Sequence, residues 1–178
     1  MDSGSVMIDG LLLNEGNEEV RRNLGYLPEM PYLYDRLTGR EFLEYLAALR
    51  GLDAVKRRIQ GFAEELGMSR FLEYEIGGYS KGMKQKISVI AALMHEPSNV
   101  LLDEPVWGLD PLTSKTLQRF IVDHQGTMVI ATHSSQLVEA VADEVYVLTQ
   151  GKMAVHGSVE EVSSKYGSVE EAFFQVAG

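Results

Sequence analysis

Cysteine is absent from the 178 residues, and cationic side chains are outnumbered by anionic ones. Without cysteine the chain has no disulfide and no thiolate metal site, which permits a reducing compartment and favours the cytosol. The 16 Lys and Arg against 26 Asp and Glu give a formal net charge of -10, which disfavours binding to nucleic acid. The apolar runs, such as residues 87–94, are far shorter than the roughly 20 residues that span a bilayer. We therefore expect one globular domain over residues 1–178 that does not enter a membrane by itself.

Turn and capping signals divide the first half of the chain into short elements. Residues 5–8 and 23–27 have the composition of strands. Thr38 followed three positions later by Glu41 predicts a capping box at the start of a helix, and a second helix follows it without an intervening strand. These two helices predict a small helical insert over residues 30–77.

The second half of the chain alternates between strands and helices. A helix is expected from Ser80 to about His95, and Ser158 and Ser168 each predict the start of a helix in residues 157–178. Between them, apolar runs of strand length alternate with helical segments; the strands are residues 99–102, 127–131 and 144–148, and the helices are residues 112–123 and 134–141. This alternation predicts an α/β fold in which the strands form a parallel sheet.

Polar residues follow three of the predicted strands within two positions. Asp103 and Glu104 follow the strand that ends at Leu102, His133 follows another, and Glu29 comes soon after a third. Because the carboxyl ends of parallel strands meet at one edge of a sheet, we expect these side chains at the same edge. A carboxylate there suits a divalent cation, and a second one suits a base that polarises water.

The residues that begin the helix after Ser80 break the usual rules for a helix start. Gly82 lies in the first turn, where it costs about 1 kcal/mol relative to Ala. Lys81 places a positive charge at the positive end of the helix dipole. A bound phosphate would resolve both conflicts, and an indifferent helix start after Gly77 and Gly78 is the alternative that these residues alone leave open.

Four motifs together resemble the ATPase subunits of ABC transporters in residue type, order and spacing. They are Tyr79-Ser80-Lys81-Gly82-Met83, the run Asn99-Val100-Leu101-Leu102-Asp103-Glu104-Pro105, then Gly108-Leu109-Asp110-Pro111, and finally Ala131-Thr132-His133. The resemblance is closest to exporter-type subunits of bacterial systems. It implies a P-loop NTPase-like parallel sheet core with a small helical subdomain.

The resemblance also implies a role for each matching residue. The five residues from Tyr79 to Met83 match the signature loop, which contacts a nucleotide held by the opposite subunit. Asp103 matches the acid near Mg²⁺, and Glu104 matches the catalytic carboxylate. Asp110 matches the loop that communicates across the dimer, and His133 matches the switch histidine at the γ-phosphate.

The family resemblance implies cofactors, partners and a location. ATP and Mg²⁺ are the expected cofactors, and the expected partners are a second ATPase subunit, identical or different, and a transmembrane permease. Residues 25–29 match the loop that couples the nucleotide state to the permease, with Glu29 near the metal where the family usually has Gln. The protein is expected to be cytoplasmic and peripheral on the cytoplasmic face of the cell membrane.

The sequence departs from the family in one larger respect, since no Gly-x-x-x-x-Gly-Lys-Ser/Thr occurs in it. Lys152 follows Gly151, but Tyr146 stands where the first Gly belongs and Met153 where the hydroxyl belongs. The family places its phosphate-binding loop before a segment like residues 3–10. We therefore expect that the sequence is cut short at its amino end and that the chain as given does not bind ATP alone.

Three other readings stay open. Gly78-Tyr79-Ser80-Lys81-Gly82 fits the Gly-x-Ser-x-Gly of serine hydrolases, with Asp110 and His133 following in the right order. A non-catalytic partner that supplies signature and switch residues to another subunit would explain the missing loop. A soluble ABC ATPase of translation or DNA maintenance is disfavoured by the acidic composition and by the short helical insert.

Overall fold

The computed structural model describes residues 4–14 and 16–177, which form two compact units, Met1–Ala131 and Thr132–Gly178. The elements of the first unit are β1 (Met7–Ile8), β2 (Leu11–Leu12), α1 (Glu18–Asn23), β3 (Leu24–Leu27), α2 (Gly39–Leu49), α3 (Lys56–Glu65), α4 (Lys81–Leu93), β4 (Asn99–Asp103), α5 (Pro111–Val122) and β5 (Thr127–Ala131). Those of the second unit are α6 (Ser135–Val141), β6 (Glu144–Thr149), β7 (Lys152–Ser158), α7 (Val159–Tyr166) and α8 (Val169–Ala177). Within the described residues, no helix is long and apolar enough to cross a bilayer.

The first unit is built on a three-stranded parallel sheet with the strand order β3-β4-β5. The registers align Leu27 with Leu102 and Leu102 with Ile130, so the three strands end together. On one face, Leu27, Val100 and Leu102 are buried, and α4 packs against β3 on that side. The sequence prediction of a parallel sheet is confirmed for these three strands.

Local capping signals set several helix starts as predicted. Thr38 accepts a hydrogen bond from the backbone N–H of Glu41 at 3.1 Å, and the Glu41 carboxylate accepts one from the N–H of Thr38 at 2.8 Å. The same reciprocal pair joins Ser158 and Glu161 at the start of α7. A capping box satisfies two of the backbone donors that every helix start leaves unpaired, and so it defines α2 and α7 locally.

The strand β6 differs from the sequence prediction, which placed it in the parallel sheet. It pairs instead with β7 as an antiparallel hairpin in the second unit. The turn at Gln150 and Gly151 has positive φ at both positions, which is the geometry of a tight hairpin. Valines on the inner side of the hairpin pack against α7 and α8; the buried cluster is Val145, Val147, Val155, Val162, Val169 and Ala172.

Two short elements of the first unit were not predicted. The helix α1 has six residues and buries only Val20, so its sequence carries almost no apolar periodicity. The strand β2 has two residues and pairs with β1 across the turn at Asp9 and Gly10. The predicted division into one domain with an insert over residues 30–77 stays a prediction.

Gly25 allows the parallel sheet to approach α4 closely. A Cβ at Gly25 would lie 2.5 Å from the carbonyl oxygen of Ala92 and 2.9 Å from Cγ of Pro97. We expect Gly25→Ala to lower the free energy of unfolding by about 1–3 kcal/mol through overpacking. Gly61 is the matched control, because a Cβ there meets nothing within 4 Å and Gly61 lies inside α3.

Urea denaturation of both variants would test this difference. Gly61→Ala should raise the free energy of unfolding by about 0.5–1 kcal/mol, because Ala restricts the unfolded chain and favours a helix. Equal effects of the two substitutions would contradict the packing argument.

His95 lies beside the junction of α1 and β3, where its titration makes the stability of the fold depend on pH. Its Nε2 lies 3.2 Å from the carbonyl oxygen of Leu24, and Arg50 donates to the carbonyl oxygens of Arg21 and Arg22 at 3.0 Å each. Burial, together with the nearby charge of Arg50, lowers the pKa of His95 from 6.5 to about 4. The folded state therefore favours the neutral imidazole, while the unfolded state takes up a proton below pH 6.5.

We expect the stability that neutral His95 confers to be present above pH 6.5 and to be lost as the pH falls towards about 4. Between pH 7 and pH 5 the loss should be about 1 kcal/mol, because solvent screens the charge of a partly buried group, and urea denaturation across that range would measure it. His95→Gln keeps a hydrogen-bond donor without a titrating group, so its stability should depend less on pH. The same dependence in both proteins would contradict the prediction.

Candidate functional site

The carboxyl edge of the parallel sheet gathers the acidic residues that the sequence places after β3 and β4. Glu29 follows the end of β3 by two residues and is exposed. Asp103 is the last residue of β4, and Glu104 follows it directly; both are partly buried. Since β3, β4 and β5 end together, these acids lie at the edge where ligands of parallel sheets bind.

Glu104 has an unusual backbone conformation, with a φ of 45°. Its backbone N–H donates to the carbonyl oxygen of Ala131 at 2.8 Å, and its own carbonyl accepts from the N–H of Trp107 at 3.1 Å. A left-handed conformation costs an L-residue roughly 1–2 kcal/mol, so the surrounding hydrogen bonds must hold it. Outliers of this kind are concentrated at functional sites, which supports a role for this turn.

The start of α4 presents Ser80 at the surface and buries Tyr79. Ser80 is the N-cap of the helix, and its hydroxyl accepts from the N–H of Met83 at 3.3 Å. Tyr79 is 7% exposed, and its hydroxyl donates to the carbonyl oxygen of Phe71. Burial raises the pKa of this tyrosine, which stays neutral. A ligand at this helix start would meet Ser80, Lys81 and Gly82 rather than the phenol ring.

The first turns of α4 lie against the segment of residues 104–110, here called the acidic turn. The Lys81 Nζ lies 2.8 Å from the centroid of the Trp107 ring, which is cation–π geometry. A Cβ at Gly82 would lie 2.8 Å from the carbonyl oxygen of Gly108, so only glycine fits there without movement. The structure therefore provides packing reasons for Lys81 and Gly82, which the sequence analysis attributed to a bound phosphate.

Asp110 ends the acidic turn and caps α5. Its carboxylate accepts from the N–H of Leu112 at 3.1 Å, from the N–H of Thr113 at 3.0 Å and from the Thr113 hydroxyl at 2.6 Å. These hydrogen bonds to Thr113, with a smaller contribution from Lys86, lower the pKa of Asp110 to about 2. The carboxylate is therefore ionised at neutral pH and orders the chain that follows the acidic turn.

His133 belongs to the second unit and lies between β5 and α6, directly before the α6 N-cap Ser134. The neighbouring Thr132 hydroxyl accepts from the N–H of Ser134 at 3.1 Å. Thr132 thus satisfies one backbone donor at the start of α6. The role of His133 at a γ-phosphate stays a prediction.

Asp103 and Glu29 are the candidate ligands for a metal ion. Among residues 4–14 and 16–177, no group of three or more His, Asp or Glu side chains could enclose a metal ion. Mg²⁺ bound with a nucleotide needs only one or two protein carboxylates, because phosphates and water complete its octahedral shell. Asp103 and Glu29, as carboxylates at the ligand-binding edge, fit that limited role.

The serine hydrolase reading is wrong. A nucleophile elbow requires a strand directly before the serine. Residues Ile76–Gly78 form a 3-10 turn instead, and Ser80 caps a helix. The acidic turn of Glu104 is also unexplained by that reading.

Two residues that contact the acidic turn were missed by the sequence analysis. The Trp107 ring contacts the Lys81 ammonium group, and the buried Gln85 side chain donates hydrogen bonds to two carbonyl oxygens of the turn. The signal for Gln85 was present, because it shares one face of α4 with the buried Val89 and Ala92 at helical spacing. A polar side chain on a buried helix face needs a partner.

The chain was compared with known proteins and with solved structures. Residues 1–107 match the protein family described as ABC transporter. The chain is 33% identical over 165 residues to the ABC transporter ATP-binding protein NatA of Bacillus subtilis (strain 168), and the match spans 89% of this chain and 67% of that protein. The relative is thus longer than the chain.

Two solved structures of ATP-binding proteins superpose on this chain. A structure described as the ATP binding subunit of an ABC transporter superposes with a TM-score of 0.91 at 30% identity, over 99% of this chain and 78% of the other. The dimeric ATP-binding cassette MJ0796, bound to ADP and Pi, superposes with a TM-score of 0.78 at 20% identity, over 88% and 74% of the two chains. The second likeness shows the fold alone.

These findings confirm the P-loop NTPase fold expected from the motifs, and they show the function of an ABC transporter ATP-binding subunit. On the family match and the similarity to NatA, the chain belongs to the ABC transporter family.

Proposed function

We propose that the complete protein hydrolyses ATP within a dimer of ATP-binding subunits and couples that hydrolysis to transport through a membrane permease. The observation that carries the proposal is the place of Glu104, in a left-handed turn directly after the central strand of the sheet. A carboxylate at this edge of a P-loop NTPase fold suits the orientation of an attacking water. Membership of the ABC transporter family indicates that the substrate of this reaction is ATP.

Each residue that matches a family motif would contribute a separate part of the reaction. Glu104 would orient water, and Asp103 and Glu29 would hold Mg²⁺. Mg²⁺, when bound, neutralises charge on the phosphates. His133 would donate a hydrogen bond to the γ-phosphate as charge develops there.

The start of α4 would serve the nucleotide of the opposite subunit. Ser80 and Gly82 lie at an exposed helix start, where backbone N–H groups and the helix dipole favour an anion. Tyr79 and Met83 would position this loop, and Lys81 would hold it against the acidic turn. Asp110 would belong to the loop that communicates across the dimer. ATP would thus be sandwiched between two subunits.

Contact with the permease would use the loop that follows β3. Met30, Tyr32 and Tyr34 in this loop are 69%, 88% and 56% exposed. Large apolar and aromatic side chains of this kind are enriched in protein interfaces. This surface would hold the protein on the cytoplasmic face of the membrane, next to the permease.

A second candidate is a non-catalytic partner subunit, for which the exposed Ser80 at the start of α4 is the supporting observation. Such a subunit would supply Ser80 and Gly82 to a nucleotide held by a different chain. The two candidates differ in whether the complete protein binds Mg-ATP by itself.

The main test is Glu104→Gln in the complete protein. We expect hydrolysis to fall by about 100-fold or more, because the amide cannot accept a proton from water, while Mg-ATP binding in calorimetry remains. Glu64→Gln is the control, since Glu64 is an exposed carboxylate on α3.

Unchanged hydrolysis by Glu104→Gln would remove the proposed catalytic role of Glu104. Failure of the unmodified complete protein to bind Mg-ATP would instead favour the non-catalytic partner.

A second test separates the nucleotide role of Ser80 from its capping role. Ser80 and Ser158 are N-caps of similar geometry, each accepting a hydrogen bond from the N–H three residues later. Ser80→Ala and Ser158→Ala should each lower the free energy of unfolding by about 1 kcal/mol. Only Ser80→Ala should also lower the rate of ATP hydrolysis by about 10-fold or more. Equal hydrolysis by the two variants would show that Ser80 is a helix cap alone.

A further inference from the structure

Gln85 is a buried amide in the second turn of α4, with a side chain that is 2% exposed. Its Nε2 donates to the carbonyl oxygen of Pro105 at 3.2 Å and to that of Glu104 at 3.4 Å. One NH₂ group thus contacts two successive carbonyl oxygens of the acidic turn. The amide has two hydrogens, so each oxygen can receive one.

With the hydrogen bond from Gln85, both the backbone N–H and the backbone carbonyl of Glu104 are hydrogen-bonded to other residues. Its backbone N–H is held by Ala131 of β5, and its carbonyl oxygen is held by the N–H of Trp107 and by Gln85 of α4. The left-handed φ of 45° is a conformation that an L-residue leaves when its surroundings permit. A change in this φ would turn the Cα–Cβ bond of Glu104 and so displace its carboxylate.

Other contacts place Gln85 at the centre of the surface that α4 presents to the acidic turn. Lys81 and Gly82 contact Trp107 and Gly108 one helical turn before Gln85. Lys86, the next residue, lies 3.6 Å from the Asp110 carboxylate. Among these contacts, Gln85 alone bonds the backbone of Glu104.

We propose that Gln85 is a positioning residue for ATP hydrolysis, which holds Glu104 in the conformation that orients water. The inference rests on the proposed function, because it requires Glu104 to be the catalytic carboxylate. Gln85 itself touches no reacting atom, and its effect passes through the backbone of the acidic turn. It therefore acts on the rate of the chemical step and leaves the affinity for nucleotide unchanged.

The test uses two substitutions of nearly the same volume in the complete protein, Gln85→Met and Gln85→Glu. Both keep approximately the side chain's length. Gln85→Met removes both hydrogen-bond donors, and Gln85→Glu leaves at most one, on a protonated carboxyl group, for the two carbonyl oxygens. We expect kcat to fall by about 10-fold or more in each variant, because small displacements of a catalytic group are costly. The dissociation constant for Mg-ATP should stay within about twofold of the unmodified value.

Gln60→Met is the matched control. Gln60 lies on α3, and its Nε2 also donates to two acceptors, Glu64 Oε1 at 3.0 Å and Ser69 Oγ at 3.4 Å. It contacts no residue of the acidic turn through these bonds, so its loss should leave kcat unchanged.

Parallel measurement of Glu104→Gln separates the two claims. Loss of hydrolysis in Glu104→Gln with unchanged kcat in both Gln85 variants would overturn the positioning role and leave the proposed function standing. Unchanged hydrolysis in Glu104→Gln would overturn the proposed function itself. An equal fall in kcat and in nucleotide affinity, or failure of both Gln85 variants to fold by circular dichroism, would assign Gln85 a role in stability and overturn the inference.

Discussion

Hydrogen bonding of β4 to a parallel neighbour on each side is the constraint on which the candidate site depends. The register brings Leu27, Leu102 and Ile130 into line, and the N–H of Glu104 adds one more bond to β5 before the chain turns away. Because the ladder ends there, the acids that follow it must lie at the rim of the sheet. The site is thus a consequence of where the strands stop.

The helix α4 serves the sheet and the site at once. Its buried side packs against β3, where Gly25 leaves room for the backbone carbonyl of Ala92. Its first two turns reach past the sheet edge and contact the acidic turn through Lys81, Gly82 and Gln85. Packing that stabilises the core therefore also sets the geometry of the residues expected to meet ATP.

The residues that break local rules show how a single signal can have two explanations. Lys81 and Gly82 are poor choices for a helix start, and the sequence analysis connected them to a phosphate. In the structure, the Lys81 ammonium group packs on the Trp107 ring. The carbonyl oxygen of Gly108 lies so close to Gly82 that a Cβ there would clash. The anomaly alone therefore carries no argument for a ligand. The argument for ATP comes from the family, because the order and spacing of four motifs are much harder to explain by packing.

Elements that are defined within a few residues could be predicted from the sequence alone. The capping box of Thr38 and Glu41 and the limits of β5 depend on residues close in the chain, so the sequence determines them. The pairing of β6 with β7, the burial of Tyr79 and the hydrogen bonds of Gln85 were decided only by the tertiary structure. An apolar strand suits either a parallel or an antiparallel neighbour, and a polar side chain can be solvated or buried. Which one occurs depends on the surfaces that meet after the chain has folded.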